Sequence, residues 1–453
     1  MQPGSHNSTE GSKVFDAHKP LAETVVDRRS NFRATQDFRK FQDRLGQLTT
    51  ENSFAEAFDA ISKIGRAAEN VLYARGVLNL WLPPIDSSIQ EYTPGDFIVT
   101  NPLNNRRYSL IQSPQIMKEI AALFVGPNWR RTTCYRAEPG DATHAQLFQQ
   151  IDVEMTNVSG AVVRSIATDM YLAAASAVGR NDVAPPREHD YSSLRLLYGE
   201  ESPNLISRVY LDKSGDFFIV RVPNDILGAL GESRFLEEFP GLRIIDSASL
   251  KKPVLHGEIS EHEVCVMAPN IDVARHARTS IERFVRVADL IPVDAIDSYW
   301  ITNMPMAKKE NGKLVPVHHV MALPYAAERD PNFTLVGKSE AEILDLMCDG
   351  YDFIVSSRDR SVEVAGGGTR IHTARLQREA LQLFERPFEK FDYLLEALRR
   401  NELRDKPVTL CGFAFGLERL GLMFGGFPGL EHLQMFPTNS ADGSFVHTSG
   451  WKE

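Results

Sequence analysis

The stretch Cys134-Tyr-Arg-Ala-Glu138 and the segment Phe148-Gln-Gln-Ile-Asp-Val-Glu154 after it decide the fold of this chain. We predict a strand, a polar loop that turns at Pro139-Gly140, and a returning strand. This arrangement would bring Arg136 and Glu138 opposite the second segment. An arginine there can bind a phosphate in bidentate fashion, and an aromatic ring beside it can stack on a base. An ordinary hairpin with a surface ion pair would carry the same residues, so both interpretations stay open.

Two glycine-containing motifs nearer the C-terminus also have two interpretations each. In Gly412-Phe-Ala-Phe-Gly-Leu-Glu-Arg419, glycines let a strand approach a ligand, and Arg419 then opens a helix, where phosphate charge is stabilised. In Glu363-Val-Ala-Gly-Gly-Gly-Thr-Arg370-Ile-His372, a carboxylate and a guanidinium flank backbone without side chains, which suits a nucleotide–metal site. A strand-to-helix turn with a capping charge, or a chance glycine run, would explain each motif alone.

The composition is that of a globular protein with more than one domain. The 453 residues correspond to about three average domains, and a hydrophobic fraction of 43% is enough for a large core. The net charge of −10 excludes a general affinity for phosphate, although a local patch can still bind nucleic acid. Four scattered cysteines and a polar N-terminus indicate a cytoplasmic protein with free thiols. The alanine-rich stretch 159–179 contains charged residues and predicts a packed helix rather than a membrane span.

Changes in composition along the sequence divide the chain into five segments. Residues 1–25 are polar and predict a disordered tail, and residues 26–57 have helical spacing of apolar residues. Residues 58–194 and 296–453 contain the motifs and would form two parts of one core. Between them, residues 195–295 alternate short β-rich pieces with helices, as in a small inserted α+β domain.

In this order, the motifs resemble those of class II aminoacyl-tRNA synthetases, and in detail the bacterial type of aspartyl-tRNA synthetase, over residues 58–445. Arg136 and Glu138 match motif 2, Arg419 matches motif 3, and Pro83 matches the motif 1 proline at the dimer interface. The family features that agree are Gln112-Ser-Pro-Gln-x-x-Lys118, the pair His318-His319, and Gly-Gly-Gly-x-Arg-Ile-His. The resemblance implies an α+β fold, an antiparallel sheet flanked by helices with an inserted small α+β domain, and a homodimer.

The resemblance also implies activation of L-aspartate with ATP and Mg²⁺ to an aspartyl-adenylate, by positioning and charge neutralisation rather than by a protein nucleophile. By this resemblance Arg136 would hold the α-phosphate and Arg419 the γ-phosphate, with the adenine between Phe148 and Arg419. The carboxylates that would take Mg²⁺ are Asp352 and Glu363. The residues that would surround the amino acid are Lys118 and Arg370 at its side-chain carboxylate, Ser113, Gln115 and Asp152 at its ammonium group, and Gln150, His318 and His319 close by.

The chain departs from the family mainly where the family binds tRNA. We expect the anticodon-binding barrel to be missing, because such a module takes roughly 100 residues and only residues 1–57 precede the core. The loop 139–147 has an added acid and lacks the arginines that contact the tRNA acceptor end in the family. Thr409-Leu-Cys-Gly replaces the proline-histidine-glycine before motif 3, and extra residues near 357–360 separate Asp352 from Glu363.

Three functions therefore stay open. The chain charges tRNA with aspartate through acceptor-end contacts alone, or it is an aspartate-activating ligase whose acceptor is a small molecule, ammonia or a protein, or it is a catalytically silent regulatory or binding paralogue. The complete set of charged site residues disfavours the third function, because buried charges without a ligand are costly. For the same reason we expect neutral asparagine to be disfavoured, whereas a close acidic analogue of aspartate stays an alternative.

Overall fold

A computed structural model describes residues 36–50, 52–86, 97–138, 140–214, 216–245, 262–388 and 391–437 of the chain. The predicted tail, residues 1–25, lies outside these ranges. The centre of the fold is an eight-stranded sheet with the strand order β1 (Leu78–Asn79), β5 (Asn128–Tyr135), β6 (Leu147–Thr156), β19 (Leu410–Gly416), β18 (Ser361–Thr369), β17 (Gly350–Ser357), β12 (Ile296–Thr302) and β7 (Arg187–Asp190). Its five inner strand pairs are antiparallel, whereas β1 with β5 and β7 with β12 are parallel.

Alternate side chains of a strand point to the same side of a sheet, and here the alternate positions carry apolar residues. One face of the central sheet is therefore apolar. Trp129, Ile151, Val153, Phe413 and Phe415 all belong to the largest buried apolar cluster of the chain. Against them lie α2 (Asn52–Ala74), α4 (Gly160–Ala177) and α13 (Leu417–Gly425). The predicted sheet with flanking helices is confirmed, and α4 is the packed helix expected from the alanine-rich stretch.

The opposite face of the same strands is polar and is partly covered by α3 (Gln115–Val125). Beyond α3 lies a further apolar cluster. In it, α11 (Ala374–Leu383) and α12 (Asp392–Glu402) pack against the segment that follows the His318-His319 pair. The remaining elements around this core are α1 (Gln36–Thr50), β2 (Ile85–Asp86), β3 (Ile98–Asn101), β4 (Arg106–Leu110), α5 (Tyr191–Tyr198), β13 (Met304–Pro305), β14 (Ala307–Glu310), β15 (Lys313–Pro316), α9 (Tyr325–Arg329), α10 (Glu340–Leu344), β16 (Met347–Cys348) and a 3-10 turn (Leu430–Leu433).

A second sheet of four antiparallel strands lies within the segment predicted as an inserted domain, and three helices accompany it. Its elements are β8 (Tyr210–Ser214), β9 (Phe217–Pro223), α6 (Asn224–Leu230), α7 (Glu232–Glu238), β10 (Arg243–Ile245), β11 (Glu263–Ala268) and α8 (Ile271–Val287). Its apolar cluster includes Tyr299, Ile301 and Ile354 of the central sheet. The divisions at 57/58 and 194/195 fall inside α2 and α5, and as domain boundaries they stay predictions.

Two further expectations concern the chain as a whole. All four cysteines are buried and free, as expected. Among the helices of the described ranges, none has both the length and the apolar character that a membrane span requires.

Candidate active site

A cavity of about 330 Å³ opens on the polar face of the central sheet. It lies where the β5–β6 hairpin, β18, β19 and the start of α13 meet. Lys118 and Asp152 are buried and do not line it, Asp352 lies beside its lining residue His318, and Pro83 lies apart from it between β1 and β2. The predicted site residues that line the cavity are Ser113, Gln115, Arg136, Glu138, Phe148, Gln150, His318, His319, Glu363, Arg370 and Arg419.

One part of the cavity is formed by the β5–β6 hairpin that the sequence predicts. Cys134 pairs with Phe148, and the backbone N–H of Arg136 donates to the carbonyl oxygen of Gln146 at 2.8 Å. The guanidinium carbon of Arg136 lies 4.8 Å from the centroid of the Phe148 ring. The hairpin therefore presents a cation and an aromatic face side by side, an arrangement that can hold a phosphate and a base.

Arg419, which ends the Gly412–Arg419 motif, contacts the Glu363–His372 motif and the loop of the β5–β6 hairpin. It is the third residue of α13, directly after the glycine-containing strand β19. Its Nη1 donates to the carbonyl oxygen of Glu363 at 2.8 Å, and its Nε donates to the carbonyl oxygen of Thr143, in the loop of the hairpin, at 3.3 Å. The guanidinium is thus held by backbone oxygens at the wall of the cavity.

Two carboxylates and an imidazole converge above Gly366. Asp352 pairs with Gly366 across β17 and β18, and a register shift after Phe353 brings Glu363 to the same place. A Cβ on Gly366 would lie 2.9 Å from Asp352 Oδ1, 2.9 Å from Glu363 Oε1 and 3.3 Å from His318 Nε2. The extra residues near 357–360 lie at the turn between the two strands, so they do not separate these carboxylates.

The proximity of these groups changes their proton affinity. Burial, together with the charge of Asp352, raises the pKa of Glu363 to about 7. Burial alone would lower the pKa of His318, but Asp352, whose Oδ1 lies 3.1 Å from His318 Nε2, outweighs it and raises that pKa. In the described part of the chain no group of three or more His, Cys, Asp or Glu side chains is arranged to hold a metal ion. A metal at this pair of carboxylates would need further ligands from a substrate, as Mg²⁺ commonly does with nucleotides.

A buried network of charges forms the other end of the site. Lys118 Nζ lies 3.4 Å from Asp152 Oδ1 and 3.6 Å from Glu154 Oε2. Arg370 Nε lies 3.2 Å from Glu154 Oε1 and 3.5 Å from Glu119 Oε1. Glu154 therefore links the two cations that the resemblance assigns to a substrate carboxylate.

The network also affects the proton affinity of its members. Burial raises the pKa of Asp152, although the charge of Lys118 opposes the shift. Burial would lower the pKa of Arg370, but the charges of Glu154 and Glu119 outweigh it and raise this pKa. Carboxylates of the protein thus compensate the charge of Arg370.

Some residues of the site were given no role at the level of sequence. Glu119, one turn after Gln115 on α3, accepts a hydrogen bond from the Gln115 amide and contacts Arg370. Gln150, Asp152 and Glu154 alternate with apolar residues in β6, and this alternation is the signal that could have placed Glu154 in the site. Glu418, just before Arg419, accepts the backbone N–H of Gln149 at 3.0 and 2.9 Å with its two carboxylate oxygens.

Comparisons with known proteins agree with this fold. A family model described as tRNA synthetases class II (D, K and N) matches residues 38–440. An aspartate–tRNA(Asp/Asn) ligase of Helicobacter pylori (strain G27) is 24% identical over 446 residues, covering 87% of this chain and 73% of that protein. An aspartate–tRNA ligase of Fervidobacterium nodosum is 24% identical over 429 residues, covering 84% of this chain and 71% of that protein.

Solved structures show the same fold. The asparaginyl-tRNA synthetase of Pyrococcus horikoshii, complexed with asparaginyl-adenylate, matches with a TM-score of 0.53 and 13% identity over 89% of this chain and 72% of that one. The Entamoeba histolytica asparaginyl-tRNA synthetase, in complex with the same adenylate, matches with a TM-score of 0.52 and 14% identity, over 92% and 73%. Because the family model spans most of the chain and the three motifs converge on one cavity, the chain belongs to the class II tRNA synthetases of the D, K and N group.

Proposed function

We propose that this chain activates L-aspartate with ATP to aspartyl-adenylate and transfers the aspartyl group to an acceptor. The family consists in general of ATP-dependent ligases that bind an amino acid, ATP and tRNA. The observation that carries the proposal is the polarity of the cavity. Arg136, Phe148, Arg370 and Arg419 line it, and the buried Lys118 lies on α3, which also carries the lining residue Gln115. A nucleotide and an amino acid with a negatively charged side chain could therefore bind next to each other in this cavity.

In the first step, an oxygen of the aspartate α-carboxylate attacks the α-phosphorus of ATP, and the bond to pyrophosphate breaks. Arg136 would stabilise the charge on the α-phosphate, and Arg419 would hold the γ-phosphate. The adenine would lie between Phe148 and Arg419, while Glu138 completes the hairpin wall. No protein nucleophile is required, because positioning and preorganised charge lower the barrier of such a transfer.

The carboxylates of Asp352 and Glu363 would hold Mg²⁺. Their convergence above Gly366 supports this assignment, since two hard oxygen donors leave room for phosphate oxygens. The bound ion supplies charge neutralisation to the triphosphate.

Selection of the amino acid rests on the buried network. Lys118 and Arg370 would bind the side-chain carboxylate, and Asp152 would bind the ammonium group together with Ser113 and Gln115. Gln150 and the His318-His319 pair would complete the pocket, where the His319 ring is oriented by the N–H of Met321, which donates to its Nδ1 at 3.0 Å. The names of the curated relatives, which are aspartate–tRNA ligases, support aspartate as the substrate.

The activation step is tested by amino-acid-dependent exchange of labelled pyrophosphate into ATP. We expect exchange with aspartate and much less with asparagine, and we expect Arg419→Ala to abolish it. Arg399→Ala is a matched control, because Arg399 lies on the surface in an ion pair with Glu396. Full exchange by Arg419→Ala would overturn the assignment of the nucleotide end. A wild-type chain without exchange would favour the third function, a silent regulatory or binding paralogue.

A second candidate function differs in the acceptor. Within the loop between β5 and β6, Asp141 accepts hydrogen bonds from the backbone N–H groups of Thr143 and His144 and from the His144 ring. An acidic side chain thus organises a segment where the family places arginines against the tRNA acceptor end. This favours a small molecule, ammonia or a protein as acceptor.

The two acceptors are separated by transfer of labelled aspartate to bulk tRNA, measured beside pyrophosphate exchange in one preparation. Charging of tRNA together with exchange would establish a tRNA ligase. Exchange without charging would direct the search to other acceptors.

A further inference from the structure

Arg130 is a buried cation next to the site for which neither the motifs nor the resemblance gives a role. It lies on β5 directly opposite Asp152 of β6, and its side chain shares the polar face with Thr132 and Cys134. It is 6% exposed. Its Nη2 donates to Thr132 Oγ1 at 2.6 Å, while its Nε and Nη1 donate to no acceptor among the residues that the structure describes.

A guanidinium in this position is costly unless negative charge compensates it. Burial lowers the pKa of Arg130, and the charge of Asp152 opposes this shift. Asp152 is itself only half engaged: its Oδ1 faces Lys118, and its Oδ2 has no hydrogen-bond partner within the described ranges. Arg130 therefore belongs electrostatically to the network that surrounds the amino-acid end of the cavity.

With Arg130 included, the charges of this network balance. Its members in the described part of the chain are three buried basic and three buried acidic side chains, whose formal charges of +3 and −3 sum to zero; they are Lys118, Arg130, Arg370, Glu119, Asp152 and Glu154. Cys134, on the same face of β5, adds no charge, because burial raises the pKa of its thiol well above the ordinary value. Without Arg130 the same network would have a net charge of −1.

The net charge of this network determines which amino-acid side chain the site can accept. The α-carboxylate of the substrate faces the nucleotide, so the network receives the ammonium group and the side chain. Aspartate brings one positive and one negative charge and keeps the network neutral, whereas asparagine leaves an excess positive charge. If the network had a net charge of −1, asparagine would bring it to zero and aspartate would leave it at −1, so asparagine would be preferred. The effect is large because charges interact strongly where water is excluded.

We propose that Arg130, which lies opposite Asp152, is a specificity-determining residue that offsets one negative charge of the network and so makes the site select an amino acid with an acidic side chain. This inference rests on the proposed activation of aspartate and deepens it. Arg130 is not among the residues that line the cavity, so it acts through the charge of the network.

The test is pyrophosphate exchange by Arg130→Gln with aspartate and with asparagine. We expect the KM for aspartate to rise about tenfold or more, with a small change in kcat and in the KM for ATP, and the preference for aspartate over asparagine to fall by a similar factor. Arg130→Lys, which keeps the charge, should retain most of the preference. The matched control is Arg131→Gln, because Arg131 is the next residue of β5, points to the opposite face and pairs with Glu69.

The double variant Glu119→Gln/Arg130→Gln distinguishes a role of Arg130 through its charge from a merely structural role. This variant returns the network to zero, so it should recover most of the preference for aspartate that Arg130→Gln loses. Equal losses for both amino acids in Arg130→Gln, without recovery in the double variant, would overturn the proposal. If the wild-type chain shows no exchange at all, the proposed function fails, and calorimetric binding of aspartate and asparagine to the same variants decides the role of Arg130 independently.

Discussion

The carboxylate of Glu154 occupies the space that a side chain on Gly412 would need. A Cβ at position 412 would lie 2.2 Å from Glu154 Oε2 and 2.3 Å from the carbonyl oxygen of Val153. The two residues are paired across β6 and β19, and the same carboxylate contacts Lys118 and Arg370. Because Gly412 has no side chain, the Glu154 carboxylate fits beside it. There this carboxylate contacts both Lys118 and Arg370.

We therefore expect Gly412→Ala to disturb stability and amino-acid binding together. The added methyl group must displace either Glu154 or the backbone of β6, and overpacking of this kind costs about 1–3 kcal/mol. Urea unfolding should show the loss of stability, and exchange assays should show a raised KM for aspartate. Gly46→Ala is the control, because a Cβ there meets nothing within 4 Å. Wild-type stability in Gly412→Ala would contradict the packing seen around Glu154.

Local spacing predicted the elements that carry the site. The two strands predicted around Cys134–Glu138 and Phe148–Glu154 are β5 at Asn128–Tyr135, which begins and ends earlier than predicted, and β6 at Leu147–Thr156. Both patterns are periodic over many residues, so the apolar face and hence the element type are well determined by the sequence. The resemblance supplied what spacing could not, namely that the three motifs share one sheet.

The contacts inside the charged network could not be derived in this way. Glu154 and Arg370 are more than two hundred residues apart, and no local period encodes their pairing. Trp129-Arg130-Arg131 shows the same limit on a smaller scale. Alternation places Arg130 and Arg131 on opposite faces, but only the packing of α3 and β6 decides that Arg130 is the buried one.

Lys118→Gln should weaken the binding of aspartate selectively. The ammonium group lies between Asp152 and Glu154 and also donates to the carbonyl oxygen of Phe413 at 3.3 Å, so its loss leaves two buried carboxylates with less compensation. We expect the KM for aspartate to rise about tenfold or more, while the KM for ATP changes little because the nucleotide end is untouched. Lys63→Gln, at an exposed ion pair with Asp59, provides the control. An unchanged KM for aspartate would refute this role of Lys118.

Glu418 should make the stability of the ligand-free chain depend on pH. Burial raises its pKa from the ordinary 4.5 to about 7, although the N–H of Gln149 opposes the shift. Between these values the folded chain keeps a proton that the unfolded chain has lost, so the contribution of this group to stability falls as the pH rises from 4.5 to about 7. Relative to the wild type, Glu418→Gln should gain up to about 3 kcal/mol of unfolding free energy across this window. Urea unfolding of both proteins at about pH 5 and about pH 8 measures this difference, and a difference that is the same at both would contradict the shifted pKa.

The edge of the central sheet at β1 provides the last prediction, which concerns the homodimer that the resemblance implies. Trp81, two residues before Pro83, is 83% exposed, and the exposed side chains of Leu78 and Tyr73 lie near it in sequence. Because a large aromatic side chain is rarely left in water without a partner, we expect Trp81→Glu to convert the dimer into a monomer. Light scattering gives the mass of each form, and Val287→Glu, which changes an 82% exposed side chain on α8, should stay dimeric. A wild-type chain that has the mass of one protomer at every concentration would contradict the homodimer that the resemblance implies.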